Sequence, residues 1–249
     1  MLETVREYAA EQLAASGEEG ALRQRHAAFC LDLAERHEIV PLLASDARQF
    51  DRLEAERPNL RSALAWFEAI GDVVGLRRLV AAVGFFWWLG GHLHEGLPWL
   101  ERALAVGEQA AATGEMPNVP IRVAVPYGAT ISIGGRAFDQ AERVLTDALV
   151  RAREIDDRLG AATVLVAFGY VANLRGDFAG AEAHLDDVLS LTPSLPDPRQ
   201  SAALQAAALT NLGDALRFQG RFEQAAAHTA EALGDATMEQ QPAGARRGE

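Results

Sequence analysis

The sequence predicts an all-α protein built as a solenoid of antiparallel helix pairs. Alanine and leucine dominate the chain, while aromatic residues make up only 7% of it, and this balance favours helices over strands. A small-residue pattern also recurs four times: a first glycine, then a turn glycine, then a small residue in a new amphipathic helix. A unit of this kind cannot bury its apolar face alone and must stack on a neighbour.

The four copies keep nearly the same internal spacing. The first glycine and the small residue are 12 residues apart in three copies and 13 apart in the second, and successive copies start 44, 41 and 44 residues apart. Small side chains let neighbouring helices approach closely, so we expect the first glycines at helix contacts. The copies are Gly84, Gly91 and Gly96; Gly128, Gly135 and Ala141; Gly169, Gly176 and Ala181; and Gly213, Gly220 and Ala225.

Two helices are predicted ahead of residue 40. Residues 2–15 carry apolar side chains at helical spacing, and the glycines in 16–20 end that helix. A second helix is predicted over 21–39, where alanine and leucine form one apolar stripe.

A third helix and a fourth are predicted on either side of a proline. Ser45 or Asp46 can cap the third helix. Pro58 should interrupt it, because proline is tolerated in the first turn of a helix and not in its interior. Asn59–Ile70 is then a separate helix that ends at Gly71.

The repeats follow this N-terminal segment. Proline- and glycine-containing connectors separate the units, as helix-breaking loops do, and the apolar periodicity stops after Leu233. The predicted division is an N-terminal helical segment over 1–70, repeats over 71–235 and a disordered tail over 236–249. The predicted helix pairs are 73–90 with 93–112, 120–134 with 137–154, 158–175 with 178–191, and 199–219 with 222–234.

Charge and composition exclude several classes of function. All 23 basic residues are arginine, so a P-loop lysine and a Schiff-base lysine are impossible within this chain. The net charge of −12 and a pI near 5.0 argue against direct binding of nucleic acid by this segment. The one cysteine, Cys30, lies in an apolar helical context and is predicted to be a buried structural thiol.

No membrane segment or leader is expected. The longest apolar stretch, 79–90, is shorter than the roughly 20 residues that a spanning helix needs. The first residues are acidic and polar, unlike a signal peptide. The expected compartment is therefore the cytoplasm.

The spacing of the small residues resembles the register of the tetratricopeptide repeat, although these units are longer than its usual 34 residues. The resemblance implies a right-handed superhelix of antiparallel helix pairs with a concave groove. Residues 2–13, 51–66, 86–96 and 99–104 resemble the region behind the ATPase module in large bacterial regulators. These are the signal-transduction ATPases with numerous domains, including LuxR-type and AfsR-type transcriptional activators.

This second resemblance implies a role in transcription regulation. In that family the repeats form a sensor arm, while the ATPase and the DNA-binding helix-turn-helix lie elsewhere. The chain carries no Gly-x-x-x-x-Gly-Lys motif. We therefore expect either a fragment of a larger regulator or a short gene product that carries only the arm.

The repeat register also implies a set of groove residues. First-helix positions six and three before the first glycine, and one, four and five after it, face the groove in such repeats. Aromatic and guanidinium side chains there suit a peptide or a small ligand, although ordinary contacts within the solenoid explain the same residues. The candidates are Arg78, Phe85, Trp88, Arg122, Ser132, Tyr170, Asn173, Thr210, Asp214 and Arg217.

Other clusters favour structure over chemistry. The aromatic run 85–88 is expected mainly in the core between units, with one or two rings turned away from the partner helix. His92 and His94 could begin a metal site, but no third ligand follows at useful spacing, so no metal or cofactor is expected. His184 and His228 occupy equivalent repeat positions, which indicates surface positions and not catalysis.

The sequence thus predicts a non-enzymatic binding module. Its partner would be a protein or a small-molecule inducer, recognised in the concave groove. The alternative is a scaffold or oligomerisation arm without a specific small ligand, which would form a stable homo-oligomer.

Overall fold

A computed structural model describes residues 12–13, 15–39, 47–107, 110, 117–133, 135 and 137–239, and these residues form an all-α protein, as predicted. They contain ten α-helices and one 3-10 turn, Thr192–Ser194. The helices are α1 (Glu19–Arg36), α2 (Ala47–Ile70), α3 (Val73–Leu89), α4 (Leu93–Ala105), α5 (Val119–Ser132), α6 (Phe138–Glu154), α7 (Arg158–Arg175), α8 (Phe178–Leu191), α9 (Pro198–Phe218) and α10 (Phe222–Glu239).

The helices pack in consecutive pairs, which confirms the predicted solenoid. Each first helix of a pair also packs against the first helix of the next, so that α3, α5, α7 and α9 form a continuous inner layer. The second helices α4, α6 and α8 fill the outer side of that layer. Helix α1 packs on both α2 and α3 and extends the layer toward the N-terminus.

The core runs through every pair. Leu100, Leu145 and Leu185 occupy the same repeat position in α4, α6 and α8, and all three are fully buried. Complete burial of a leucine side chain stabilises a fold by about 1.5–3 kcal/mol. One cluster holds side chains from α1 to α5, on both sides of the predicted boundary at residue 70. The division of the chain into domains stays a prediction.

Glycine is required in the repeat for two different structural reasons. At the first glycine of each copy, an added Cβ atom would lie 2.6 to 3.1 Å from a side chain of a packed helix, which confirms the predicted close contacts. At the turn glycines the backbone adopts positive φ, which strains other residues. The turn glycines are Gly91 (φ 72°), Gly135 (75°), Gly176 (84°) and Gly220 (77°).

Two predicted helix boundaries are corrected by the structure. Helix α2 continues through Pro58, because buried Leu53 and Leu60 lie on both sides of it and hold one helix against the core. Proline in a helix interior costs about 3 kcal/mol, and packing of this stripe offsets that cost. Helix α4 ends at Ala105 and not at 112.

The two ends of the chain were predicted as a helix over 2–15 and a tail over 236–249. Helix α10 extends to Glu239, beyond the predicted end near 234. Residues 1–11 and 240–249 lie outside the described residues. Among the described helices, none is long and apolar enough to cross a membrane.

Candidate functional site

The inner layer and α10 line a partly enclosed cavity of about 530 Å³, called here the main chamber. Its walls are mostly alanine, valine and aromatic side chains, and none of the described residues that line it is charged. The lining residues are Phe85, Trp88, Val125, Ala129, Thr163, Val166, Ala167, Tyr170, Ala203, Ala206, Ala207, Thr210, Asn211, Thr229 and Ala232.

Three aromatic rings form one wall of the main chamber. The ring centroids of Trp88 and Tyr170 are 5.5 Å apart at an interplanar angle of 88°, and those of Phe85 and Trp88 are 6.4 Å apart at 80°. Aromatic pairs prefer such edge-to-face arrangements. Trp88 on α3 reaches Tyr170 on α7 although α5 lies between these helices in the layer. The inner layer is therefore strongly curved.

The same aromatic run also supplies the core, as predicted. Phe86 and Trp87 are buried, whereas Phe85 and Trp88 are only partly buried and border the chamber. Phe85 also packs against the core cluster of α1 to α5 and against a second cluster formed by side chains of α5, α6 and α7.

The three threonines and the asparagine of the main chamber donate hydrogen bonds within their own helices. The hydroxyls of Thr163, Thr210 and Thr229 donate to the carbonyl four residues earlier in their own helices, at 2.8, 2.7 and 2.8 Å. The amide nitrogen of Asn211 donates to the Ala207 carbonyl at 2.9 Å. The oxygens of these side chains remain available as acceptors. Burial raises the pKa of Tyr170, so its phenol stays neutral near pH 7.

A smaller cavity of about 330 Å³, called here the charged end, continues from the main chamber. The two share Phe85, Val125, Thr163 and Ala203. The charged end is also lined by Glu38, Ile39, Asn118, Ile121, Arg122, Asp157, Leu159, Gly160, Gln200 and Leu204.

Two arginines at this side of the layer are held by carboxylates. Both Nε and Nη2 of Arg122 donate to Glu38, and both Nε and Nη2 of Arg78 donate to Glu35 at 2.9 and 2.8 Å. Burial raises the pKa of Glu38, against the opposing charge and hydrogen bonds of Arg122. These pairs tie α1 and the residues after it to α3 and α5.

The structure brings some predicted groove residues together. Phe85, Trp88, Tyr170 and Thr210 line the main chamber, and Arg122 lines the charged end. Their role in binding stays a prediction.

The other predicted residues lie elsewhere. Ser132 is only 1% exposed, and its hydroxyl donates to the Gly128 carbonyl, because the last turn of α5 faces the neighbouring helix. Asp214 and Arg217 form an exposed ion pair at 3.1 Å beside a separate shallow cavity between α9 and α10. Arg78 lies in neither lining, since it pairs with Glu35. Asn173 donates to the Asn211 carbonyl at 2.9 Å.

Sequence reasoning missed most of the small residues of the chamber. The repeat register already points to Val125, Ala129, Thr163, Val166 and Ala207, which occupy the same positions relative to the first glycine. The groove candidates named from the sequence are only the polar and aromatic residues at these register positions. The position in the repeat, and not the residue type, is the signal that identifies a lining residue.

The described residues contain no group of three histidine, cysteine, aspartate or glutamate side chains that could hold a metal ion. His92 instead bridges two elements, with its Nε2 atom 2.8 Å from Glu54 Oε2 and its Nδ1 atom 2.8 Å from Arg57 Nη1. These contacts join α2 to the start of α4.

Fold and groove together define an all-α helical-repeat protein with a partly enclosed apolar chamber on its inner layer. The crystal structure of BtubC (BKLC) from P. vanneervenii is similar, with a TM-score of 0.53 and 16% sequence identity over 94% of this chain and 96% of that one. A likeness at this identity supports the fold alone.

Sequence similarity points to regulatory proteins. Proteins provisionally named HTH-type transcriptional regulators, from Mycobacterium bovis and two strains of Mycobacterium tuberculosis, are 31% identical in an alignment of 191 residues, and the match covers 72% of this chain. The match covers 20% of each of them, so the chain spans about a fifth of the length of these relatives. No family model matches the chain. The predicted resemblance to bacterial transcriptional regulators is confirmed by this 31% identity, whereas the LuxR or AfsR type stays a prediction.

Proposed function

We propose that the chain is a non-enzymatic binding module with tetratricopeptide-like repeats that serves as the sensor arm of a cytoplasmic transcriptional regulator of the LuxR or AfsR type. The observation that carries this proposal is the apolar, partly enclosed main chamber, which is lined by all four inner helices. Ligand pockets of about 300–1,000 Å³ with few polar groups are typical of small-molecule sites. A small-molecule inducer therefore fits the chamber better than an extended protein segment does.

The arrangement suggests how occupancy would be transmitted. Because α3, α5, α7 and α9 all contribute to the chamber, an occupant that contacts them together favours one curvature of the layer over others. The pairs Arg78–Glu35 and Arg122–Glu38 connect that layer to α1. In the family that the chain resembles, the ATPase lies on this N-terminal side. With a net charge of −12, the arm itself would not contact DNA.

A blocked chamber tests this function in the native host. Ala207→Phe places a ring inside the chamber, whereas Ala227→Phe places the same ring on an exposed position of α10 outside it. Each allele replaces the chromosomal gene, and transcripts are sequenced at matched protein levels. We expect Ala207→Phe to change a defined set of transcripts relative to Ala227→Phe. Identical transcript profiles for the two alleles would contradict the sensor role.

The runner-up is a scaffold or oligomerisation arm, favoured by a row of exposed apolar side chains. Leu89, Ile133, Leu174 and Phe218 each lie five residues after a first glycine and are 48%, 45%, 44% and 60% exposed. Exposed apolar side chains at the same position of every unit can together mark a protein interface. Light scattering separates the two functions. A scaffold forms a stable oligomer that Phe218→Ser weakens, whereas a sensor arm is monomeric with either phenylalanine or serine at position 218.

A further inference from the structure

We propose that the main chamber takes an uncharged, ring-bearing small molecule with a hydroxyl group. The inference rests on the proposed function, which makes the chamber the binding site, and adds the chemistry of its ligand. It follows from three properties of the lining: its charge, its rings and the direction of its hydrogen bonds.

The lining disfavours a charged ligand. No charged side chain is found among the described residues of the main chamber. The guanidinium group of Arg122, in the adjoining charged end, already donates two hydrogen bonds to Glu38. Transfer of an ion from water into such a site is costly unless it meets an opposite charge. A neutral molecule does not carry this cost.

The aromatic wall favours a ring. Phe85, Trp88 and Tyr170 are held edge to face by one another, so their orientation is set before a ligand arrives. Ala206 and Ala207 on α9 line the same cavity with small side chains, which leave room for a ligand ring. A ligand ring can pack there in the offset or edge-to-face geometry that aromatic pairs prefer.

The hydrogen bonds of the chamber select a hydroxyl. The hydroxyls of Thr163, Thr210 and Thr229 donate within their own helices, which leaves their oxygens as acceptors for a donor on the ligand. Tyr170 lines the chamber as well, and its phenol can donate or accept. A ligand hydroxyl can therefore donate to a threonine oxygen and accept from the phenol. An ether offers only an acceptor.

Three naphthalene probes of nearly equal size separate these properties. 2-Naphthol carries the hydroxyl, 2-methoxynaphthalene replaces it with an ether, and 2-naphthoate carries a negative charge. Calorimetric titration of the full chain at pH 7 measures their dissociation constants. We expect 2-naphthol to bind at least roughly 5-fold tighter than the ether, as one neutral hydrogen bond provides, and 2-naphthoate to bind most weakly.

Variants locate the binding in the chamber. Ala207→Phe should abolish 2-naphthol binding, and the matched Ala227→Phe should leave it unchanged. Thr210→Val removes one acceptor at an exposed position and should weaken 2-naphthol by a few fold while leaving the ether unchanged. If Ala207→Phe does not give a folded chain by circular dichroism, Ala206→Phe takes its place.

Several outcomes would overturn the proposal. Equal affinity for 2-naphthol and its ether removes the hydroxyl requirement, and tightest binding of 2-naphthoate removes the neutrality. Binding that survives Ala207→Phe places the ligand elsewhere, and no binding of any probe at millimolar concentration excludes the ligand class. If the probes fail while the Ala207→Phe allele still alters transcripts, the sensor function survives and only the ligand class is wrong.

Discussion

Gly169 and Gly213 occupy the same position in consecutive copies, but their surroundings differ. A Cβ atom on residue 169 would lie 2.6 Å from Cγ and Cδ2 of Leu185, a fully buried side chain. On residue 213 the nearest atom would be Thr229 Oγ1 at 3.0 Å. A close approach to a buried, confined side chain cannot be relieved cheaply. The third copy is thus the more tightly packed of the two.

Gly169→Ala should therefore destabilise the protein although alanine is the better helix former. The propensity gain is at most about 1 kcal/mol, whereas overpacking costs about 1–3 kcal/mol. We expect a net loss of about 1–2 kcal/mol in the free energy of unfolding, measured by urea denaturation. The control is Gly20→Ala in α1, where a Cβ atom meets open space and no loss is expected. Equal stability of the two variants would contradict the packing contact.

Cys30 is buried, as predicted, and its chemistry follows from burial. It is 3% exposed, and desolvation, with a smaller contribution from Glu56, raises its pKa to about 11. Only the thiolate reacts with disulfide reagents. At pH 8 roughly one thiol in a thousand is then ionised, which follows from the difference between the pKa and the pH.

Labelling of native Cys30 with a chromogenic disulfide at pH 8 should therefore be slow and should become complete within the mixing time in strong denaturant. The labelling rate below the unfolding transition should follow the opening of the fold. Cys30→Ser labels no site and controls for background. Fast stoichiometric labelling of the native chain would show that the thiol is accessible.

At the level of residues, the sequence allowed the packing glycines to be predicted, but not the full lining of the chamber. Ser132 fits the groove register and is polar, yet the end of α5 buries it. Thr163 fits the same register and was passed over, although it lines both cavities. The exposure of a repeat position depends on the neighbouring helix, which one unit's sequence does not specify.

At the level of elements, three helices begin with the same cap. The side chains of Asp72, Asp157 and Asp177 each accept from the backbone N–H of a glycine three residues later, at 2.8, 2.8 and 3.0 Å. A Cβ atom on those glycines would lie 2.3 to 2.7 Å from the aspartate Oδ2 atom. The aspartate and the glycine therefore act as one capping unit, which starts α3, α7 and α8.

A double-mutant cycle on Asp157 and Gly160 should reveal this coupling. Asp157→Ala should cost about 0.5–2 kcal/mol, the usual value of a lost N-cap. Gly160→Ala alone should also destabilise, because the added methyl displaces the carboxylate. In the Asp157→Ala background the same change should cost nothing, or stabilise through helix propensity. Additive effects in thermal unfolding would mean that cap and glycine are independent.

The element boundaries show where sequence reasoning succeeds and where it fails. Turn glycines and proline-containing connectors led to the correct pairing of α3 to α10. Pro58 led to the wrong prediction of two separate helices in place of α2. That prediction used local propensity and not the burial of Leu53 and Leu60 on either side of the proline. Tertiary burial can outweigh one unfavourable backbone position.

At the level of the whole molecule, the main chamber depends on curvature. Trp88 of the first repeat and Ala203 of the fourth line one cavity although they are far apart in sequence. No single unit contains the site. Curvature is the sum of small rotations between units, so the sequence could predict the repeats and the inner layer but not the volume that they enclose.

The dependence of the chamber on its last repeat leads to a prediction for a shortened chain. Ending the chain at residue 196 removes α9 and α10, and with them seven of the chamber's lining residues. In a solenoid each unit contacts mainly its neighbours, so α1 to α8 should still fold, with unchanged helicity per residue by circular dichroism. The midpoint of urea unfolding should fall, because Leu165 and Val188 lose part of the cover that keeps them buried. Binding of 2-naphthol should disappear.

A chain ending at Glu239 is the control and should match the full chain in both measurements. A shortened chain that still binds 2-naphthol would place the site within the first three repeats, and one without helical structure would show that the units fold only together.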